Sequence, residues 1–218
     1  LIALMLATGL VAIDSTVIAT AIPTVVDDLG GFAQFPWLFS VYLLAQAVTV
    51  PIYGKLADLF GRKPVILLGI SLFLLGSILC GLSNSTVELV GARILQGMGG
   101  AMMVPVGRLV LLRSVSKAEL VRAMAYLTTP ALLGPVLGPP LGGFITTYSA
   151  WRLIFFINVP IGIIGVILVT LFIDDVREEE RTPFDVRGLL MSGVALGCMV
   201  FGFETLGRAI VPLPVTGG

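Results

Sequence analysis

Residues 54–82 read GKLADLFGRKPVILLGISLFLLGSILCGL. A short charged segment (Lys55, Asp58, Arg62, Lys63) runs straight into an apolar stretch, Pro64 to Leu82, that carries no formal charge. A helix of about 20 such residues crosses the roughly 30 Å hydrocarbon core of a bilayer. A barrel strand needs only about ten residues in strict alternation, so this stretch is too long and too uniform for one. Working outward, comparable runs occupy residues 1–23, 37–57, 87–111, 124–147, 153–173 and 189–206. Of 218 residues, 57% are hydrophobic and 12% are charged, with a mean hydropathy of +1.06. A soluble domain carries about 25% charged residues, so this chain lacks the polar surface that water requires. The expectation is an all-α membrane protein with about seven spans and no soluble domain.

The short loops give an orientation. Lys55, Arg62 and Lys63 border the loop after the second span, Arg113, Lys117 and Arg122 the loop after the fourth, and Arg177, Arg181 and Arg187 the loop after the sixth. The intervening loops hold only Arg152. Lysine and arginine collect on the cytoplasmic side, so the N-terminus is expected inside, in a multi-pass protein of the plasma (inner) membrane. The first run holds Asp14 and is not followed by a polar mature domain, which argues for a span and against a signal peptide. Residues 1–173 are expected to form a six-helix unit, 174–188 a cytoplasmic linker, and 189–218 a seventh span with a truncated end. The opening at Leu1 inside an apolar run suggests a fragment.

Composition also excludes classes of function. Zero net charge leaves no basic footprint for nucleic acid. With no histidine, zinc sites and acid–base catalysis built on it are excluded. Cys80 and Cys198 lie apart in apolar runs and form no ligand pair. Gly97-Met98-Gly99-Gly100 lacks the last glycine of a dinucleotide loop, since Met102 stands there. No metal, cofactor or catalytic role is expected. The sequon Asn84-Ser85-Thr86 falls in a loop too short for a glycosyltransferase.

Charge at membrane depth is costly, and ionisable residues there are functional candidates. Asp14 lies roughly 16 Å into the first span, and Arg93 roughly 9 Å in from the outer face on the antiparallel fourth span. Their depths differ by about 5 Å on this ruler. A water-lined cavity between the two helices is expected to hold both, as a protonatable carboxylate beside a cation. Glu204, near the outer end of the seventh span, is a weaker candidate, and Arg108 is expected to snorkel to the inner interface. In Gly134-Pro135-Val136-Leu137-Gly138-Pro139-Pro140-Leu141-Gly142-Gly143 the glycines Gly134, Gly138 and Gly142 recur every fourth residue. They share one helix face and let a neighbour approach closely, while the prolines remove backbone donors and bend the span.

These segments, taken together, resemble a known family. Gly54 to Lys63 resembles the cytoplasmic signature G-x-L-a-D-r-x-G-r-k of the major facilitator superfamily, with Leu59 replacing the usual basic residue. Arg93-Ile94-Leu95-Gln96-Gly97-Met98-Gly99 resembles its fourth-span motif R-x-x-Q-G-x-G, and Gly134 to Gly143 its fifth-span antiporter motif. Ile13-Asp14-Ser15-Thr16-Val17 with Ala21-Ile22-Pro23, and Ala150 to Gly162, are similar to the first and sixth spans of the drug:proton antiporters with 14 spans. The resemblance implies the N-terminal six-helix bundle of a proton-coupled exporter of small amphipathic compounds, with the seventh span joining it to a C-terminal bundle. Alternating access needs both bundles, with substrate bound between them. It implies proton coupling through Asp14 and Arg93, and a cytoplasmic gate at Gly54, Asp58, Gly61, Arg62 and Lys63. It implies a central seam shaped by Gly134, Gly138, Pro139, Gly142 and Gly143. The proton gradient is the implied energy source, with no cofactor. The implied partners are a small-molecule substrate, the lipid bilayer and the C-terminal bundle of the same chain. Export of a single metabolite, such as an amino acid or a siderophore, is the alternative in the same class. A non-transporting membrane interaction module is the alternative of another class.

Overall fold

The computed structural model describes residues 1–30, 36–173, 188, 191–199 and 202. The helices run α1 (Ile2–Leu29), α2 (Trp37–Phe60), α3 (Arg62–Leu82), α4 (Thr86–Gly100), α5 (Met103–Ser114), α6 (Lys117–Tyr148), α7 (Leu153–Phe156) and α8 (Asn158–Phe172). With α4 and α5 together making the fourth span and α7 and α8 the sixth, six spans among the described residues are long and apolar enough to cross a membrane. Residues 191–199 are helical within the seventh expected run. Most of the linker and Glu204 lie outside the described residues.

Local chemistry sets the ends. Glycine at Gly61 has φ 91°, a left-handed conformation in which a Cβ is penalised, and this lets α3 begin at Arg62 directly after α2. The side chain of Ser85 caps α4 by accepting from the Glu88 amide at 3.2 Å. Two spans expected as single helices are interrupted. Pro105 has no N–H to offer the Ala101 carbonyl, and the fourth span breaks at Ala101–Met102; Pro160 stands in the same relation to Phe156, and the sixth breaks at Ile157. In contrast, α6 stays helical through Pro130, Pro135, Pro139 and Pro140, as embedded helices can when neighbours satisfy the freed carbonyls.

α1 packs along α6, and α3 along α4, with α8 against both α1 and α3. The glycine face of α6 makes the first seam. A Cβ on Gly134 would stand 2.7 Å from that of Ala12, and one on Gly138 or Gly142 would overlap the hydroxyl of Thr16 or Thr20. Thr16 Oγ1 donates across this seam to the Gly134 carbonyl at 2.9 Å. Pro139 is exposed and Gly143 meets nothing, so neither belongs to the contact with α1. The outward face of α6 shows Leu132, Val136 and Phe144, a surface suited to hydrocarbon rather than water.

Among the described residues the buried apolar side chains form two clusters. One holds Leu4 to Leu10 of α1, Val65 to Phe73 of α3 and Met103 to Leu111 of α5. The other holds Val17 to Val25 of α1, Cys80 of α3 and Leu89 and Ala92 of α4. Along α1 the changeover falls at Asp14, along α3 at Ser77, and along the fourth span at Arg93 and Gln96. A polar layer therefore separates the two apolar clusters at mid-depth.

Candidate functional site: a buried charge pair between two apolar clusters

Asp14 and Arg93 meet in that layer. Arg93 Nη1 donates to Asp14 Oδ2 at 2.7 Å, and neither side chain has exposed surface. Gln96, one turn beyond Arg93 on α4, donates from Nε2 to Asp14 Oδ1 at 2.9 Å. Its carbonyl accepts from Arg93 Nη1 at 2.7 Å. Asn158, the first residue of α8, donates from Nδ2 to Asp14 Oδ1 at 2.7 Å. Ser77 on α3 accepts from Asn158 at 2.9 Å and from Gln96 at 3.2 Å, and its hydroxyl donates to the Phe155 carbonyl at 2.9 Å.

Arg93 is further held by the Tyr42 ring, 4.2 Å from its Cζ, and by the Phe155 ring at 5.8 Å. Its Nε points to the Leu38 carbonyl at 3.4 Å, while Nη2 has no acceptor among the described residues. Close helix contact makes this possible. A Cβ on Gly97 would stand 2.6 Å from the Tyr42 carbonyl oxygen, and one on Gly76 2.5 Å from the Gln96 backbone nitrogen.

The water-lined cavity expected around this pair is not what the helices form here. They close on Asp14 and Arg93 and replace water with side-chain donors. Three N–H groups point at the two oxygens of Asp14, a donor set that matches the acceptor capacity of a carboxylate. One carboxylate thus ties α1 to α4 and α8.

The other expected site residues lie elsewhere. Gly54 and Asp58 are half-buried near the end of α2, Gly61 forms the turn, and Arg62 is buried at the start of α3. Lys63 Nζ donates to the Thr170 carbonyl near the end of α8 at 2.8 Å. Along α3, Lys63 is about 21 Å from Ser77 at 1.5 Å per residue, so this group and the charge pair are separate places. Arg108 is exposed near the same end. At the opposite end Arg152 bonds Asp28 Oδ2 at 2.7 Å, Trp151 Nε1 reaches the same oxygen at 2.9 Å, and Arg152 stacks 4.4 Å from the Trp151 ring. Sequence reasoning assigned no site role to Gln96, Ser77, Asn158 or Tyr42. The available signals were the spacing of Gln96, three residues after Arg93 and so on the same helix face, and the places of Gln96 and Asn158 inside the family-like segments 93–99 and 150–162.

Comparison with known proteins agrees with this architecture. The family model of the Major Facilitator Superfamily matches residues 4–214. A protein of Escherichia coli O157:H7 (strain EC4115 / EHEC), provisionally named multidrug resistance protein MdtD, is 39% identical over 208 residues, covering 94% of this chain and 44% of its own length. A relative of the same name from Shigella boydii serotype 18 gives the same identity and coverage. This chain thus spans less than half the length of these curated relatives. Among solved structures, the human organic anion transporter MFSD10 (TETRAN) superposes with a TM-score of 0.71 at 16% identity, over 87% of this chain and 51% of that one. A D-xylose-proton symporter superposes with a TM-score of 0.64 at 14% identity, over 97% and 53%. At such identities the structural likeness speaks to fold alone.

Proposed function

This chain belongs to the major facilitator superfamily, a transporter family, and from that premise we propose that it is the N-terminal bundle of a proton-coupled antiporter that exports small amphipathic, drug-like compounds across the inner membrane. The observation that carries the reading is the fully buried Asp14–Arg93 pair, with every oxygen of the carboxylate held by a donor. An ionised carboxylate at mid-depth in a bilayer is too costly to keep for packing alone when an apolar residue would serve. It suits a group that alternates between a paired, charged state and a protonated, neutral one. A proton crossing 100 mV supplies about 2.3 kcal/mol, so the cycle needs no nucleotide and no cofactor.

On this reading Asp14 carries the proton and Arg93 sets when it is released. Asp58, Arg62 and Lys63, with Gly54 and Gly61, form the cytoplasmic gate. The seam of Gly134, Gly138 and Gly142, with Pro139 and Gly143 on its outer side, lets α6 shift against α1. The exposed apolar faces of α2 and α6 meet lipid and a C-terminal bundle. The N-terminus lies inside, in keeping with the basic loops. The drug-like substrate class is supported by the name of the MdtD relatives, which this chain resembles over 94% of its length.

The test uses the protein encoded by the complete reading frame, in energised everted vesicles, with ethidium as the probe. Wild type is expected to move ethidium inward and to move protons in response to it. Asp14→Asn, inserted at wild-type level, is expected to lose that coupled proton movement by tenfold or more. Unchanged coupling removes Asp14 from the path. No ethidium response in wild type favours an exporter of one metabolite.

A further inference from the structure

Asn158 stands where the sixth span is broken, immediately after Ile157 and at the first position of α8. From there its amide meets two oxygens at once, Asp14 Oδ1 at 2.7 Å and Ser77 Oγ at 2.9 Å. Gln96 touches the same two oxygens, but its carbonyl is committed to Arg93 Nη1. Turning the Gln96 amide over would set N–H groups against the guanidinium, donor against donor. Asn158 is under no such constraint from Arg93. Both of its oxygen partners can reverse direction: the Ser77 hydroxyl can donate to Asn158 by swinging its one proton off the Phe155 carbonyl, and Asp14 becomes a donor once protonated. Half a turn of the Asn158 amide therefore exchanges a donor for an acceptor against both partners.

We propose that Asn158 is a positioning residue for the Asp14 carboxyl, donating to it when it is charged and, after the amide turns over, accepting from it when it is neutral. This rests on the proton-coupled reading above. The groups facing Asp14 are few. Arg93 comes from α4 as the paired cation, with Gln96 beside it. Tyr42 of α2 lies against Arg93, and the Cys80 thiol of α3 donates to Gln96 Oε1 at 3.7 Å. From α6, Gly134, Gly138 and Gly142 face α1. Of all these, Asn158 is the one that joins the carboxyl to the helix break.

Its removal takes away one donor to the charged carboxylate and the acceptor for the neutral one. The test follows ethidium-dependent proton movement in everted vesicles across a range of pH, for the complete protein. Wild type and Asp14→Asn serve as references for the underlying reading. Asn158→Ala is expected to move the pH of half-maximal response alkaline by roughly half a unit to one unit, because the bond lost from the charged carboxylate is about twice as strong as the one lost from the neutral acid. Asn158→Asp has nearly the same shape and serves if the alanine variant fails to insert. It sets a second carboxylate beside the first, so it is expected to shift the profile in the same direction and further. If an inserted variant gives the wild-type profile, or an acid shift, while wild type is coupled and Asp14→Asn is not, the positioning role is overturned and the proton-coupled reading stands. If wild type shows no ethidium-dependent proton movement, or Asp14→Asn keeps it in full, both fall.

Discussion

Arg93 shares its donors among Asp14, Gln96 and the Leu38 carbonyl while its flat face lies on Tyr42. The value of this arrangement lies in mutual dependence, because each charge is tolerated only while the other is present. Arg93→Ala is expected to destabilise the folded protein by about 3–5 kcal/mol, since it leaves a buried carboxylate without a cation. Removing both charges in Asp14→Ala/Arg93→Ala is expected to cost clearly less than the two single changes summed. Thermal unfolding in detergent measures all three, and strict additivity contradicts the pairing. The two charged members were legible in the sequence because ionised groups are rare in apolar runs. The neutral members were not. Ser77 and Asn158 look no different in sequence from Thr8 or Thr49, whose hydroxyls simply bond their own helix at Leu4 and Ala45. Only the packing of α3 and α8 on α1 tells a polar residue in a network from one satisfied locally.

Among the helices, the glycine face of α6 could be read directly, since a spacing of four places Gly134, Gly138 and Gly142 on one side. Its partner could not be read, because a small face states only that something comes close. The structure supplies α1, with Ala12, Thr16 and Thr20 opposite. Gly138→Val is expected to force α1 and α6 apart and cost about 1–3 kcal/mol as an overpacked contact, with Gly143→Ala, which meets open space, within about 0.5 kcal/mol of wild type. Equal unfolding temperatures for the two variants contradict this assignment of the seam. Helix limits were less legible. Hydropathy ends the first span at Pro23 and starts the fifth at Met124, whereas α1 continues to Leu29 and α6 begins at Lys117. Polar turns beyond the bilayer stay helical, and an apolar-run criterion does not see them. The breaks in the fourth and sixth spans come from Pro105 and Pro160, which look in sequence like the prolines that α6 absorbs without interruption.

At the scale of the whole molecule, the pattern of apolar runs and basic loops was enough to give the bundle, because a bilayer leaves few ways to bury a backbone. Arg152, the basic residue in the loop between the fifth and sixth spans, is paired with Asp28 and lies against the Trp151 ring. Less predictable was the layering, in which two apolar clusters enclose a polar layer contributed by the first, third, fourth and sixth spans. That layer ties four spans together through one carboxylate and its hydrogen-bond partners. The most direct test is infrared difference spectroscopy on the purified protein from the complete reading frame, with ethidium added as the probe at acid pH. The account predicts that ethidium discharges a carboxylic-acid band in wild type and that this band is missing from Asp14→Asn. A band of full size in Asp14→Asn, or none in wild type, would contradict it.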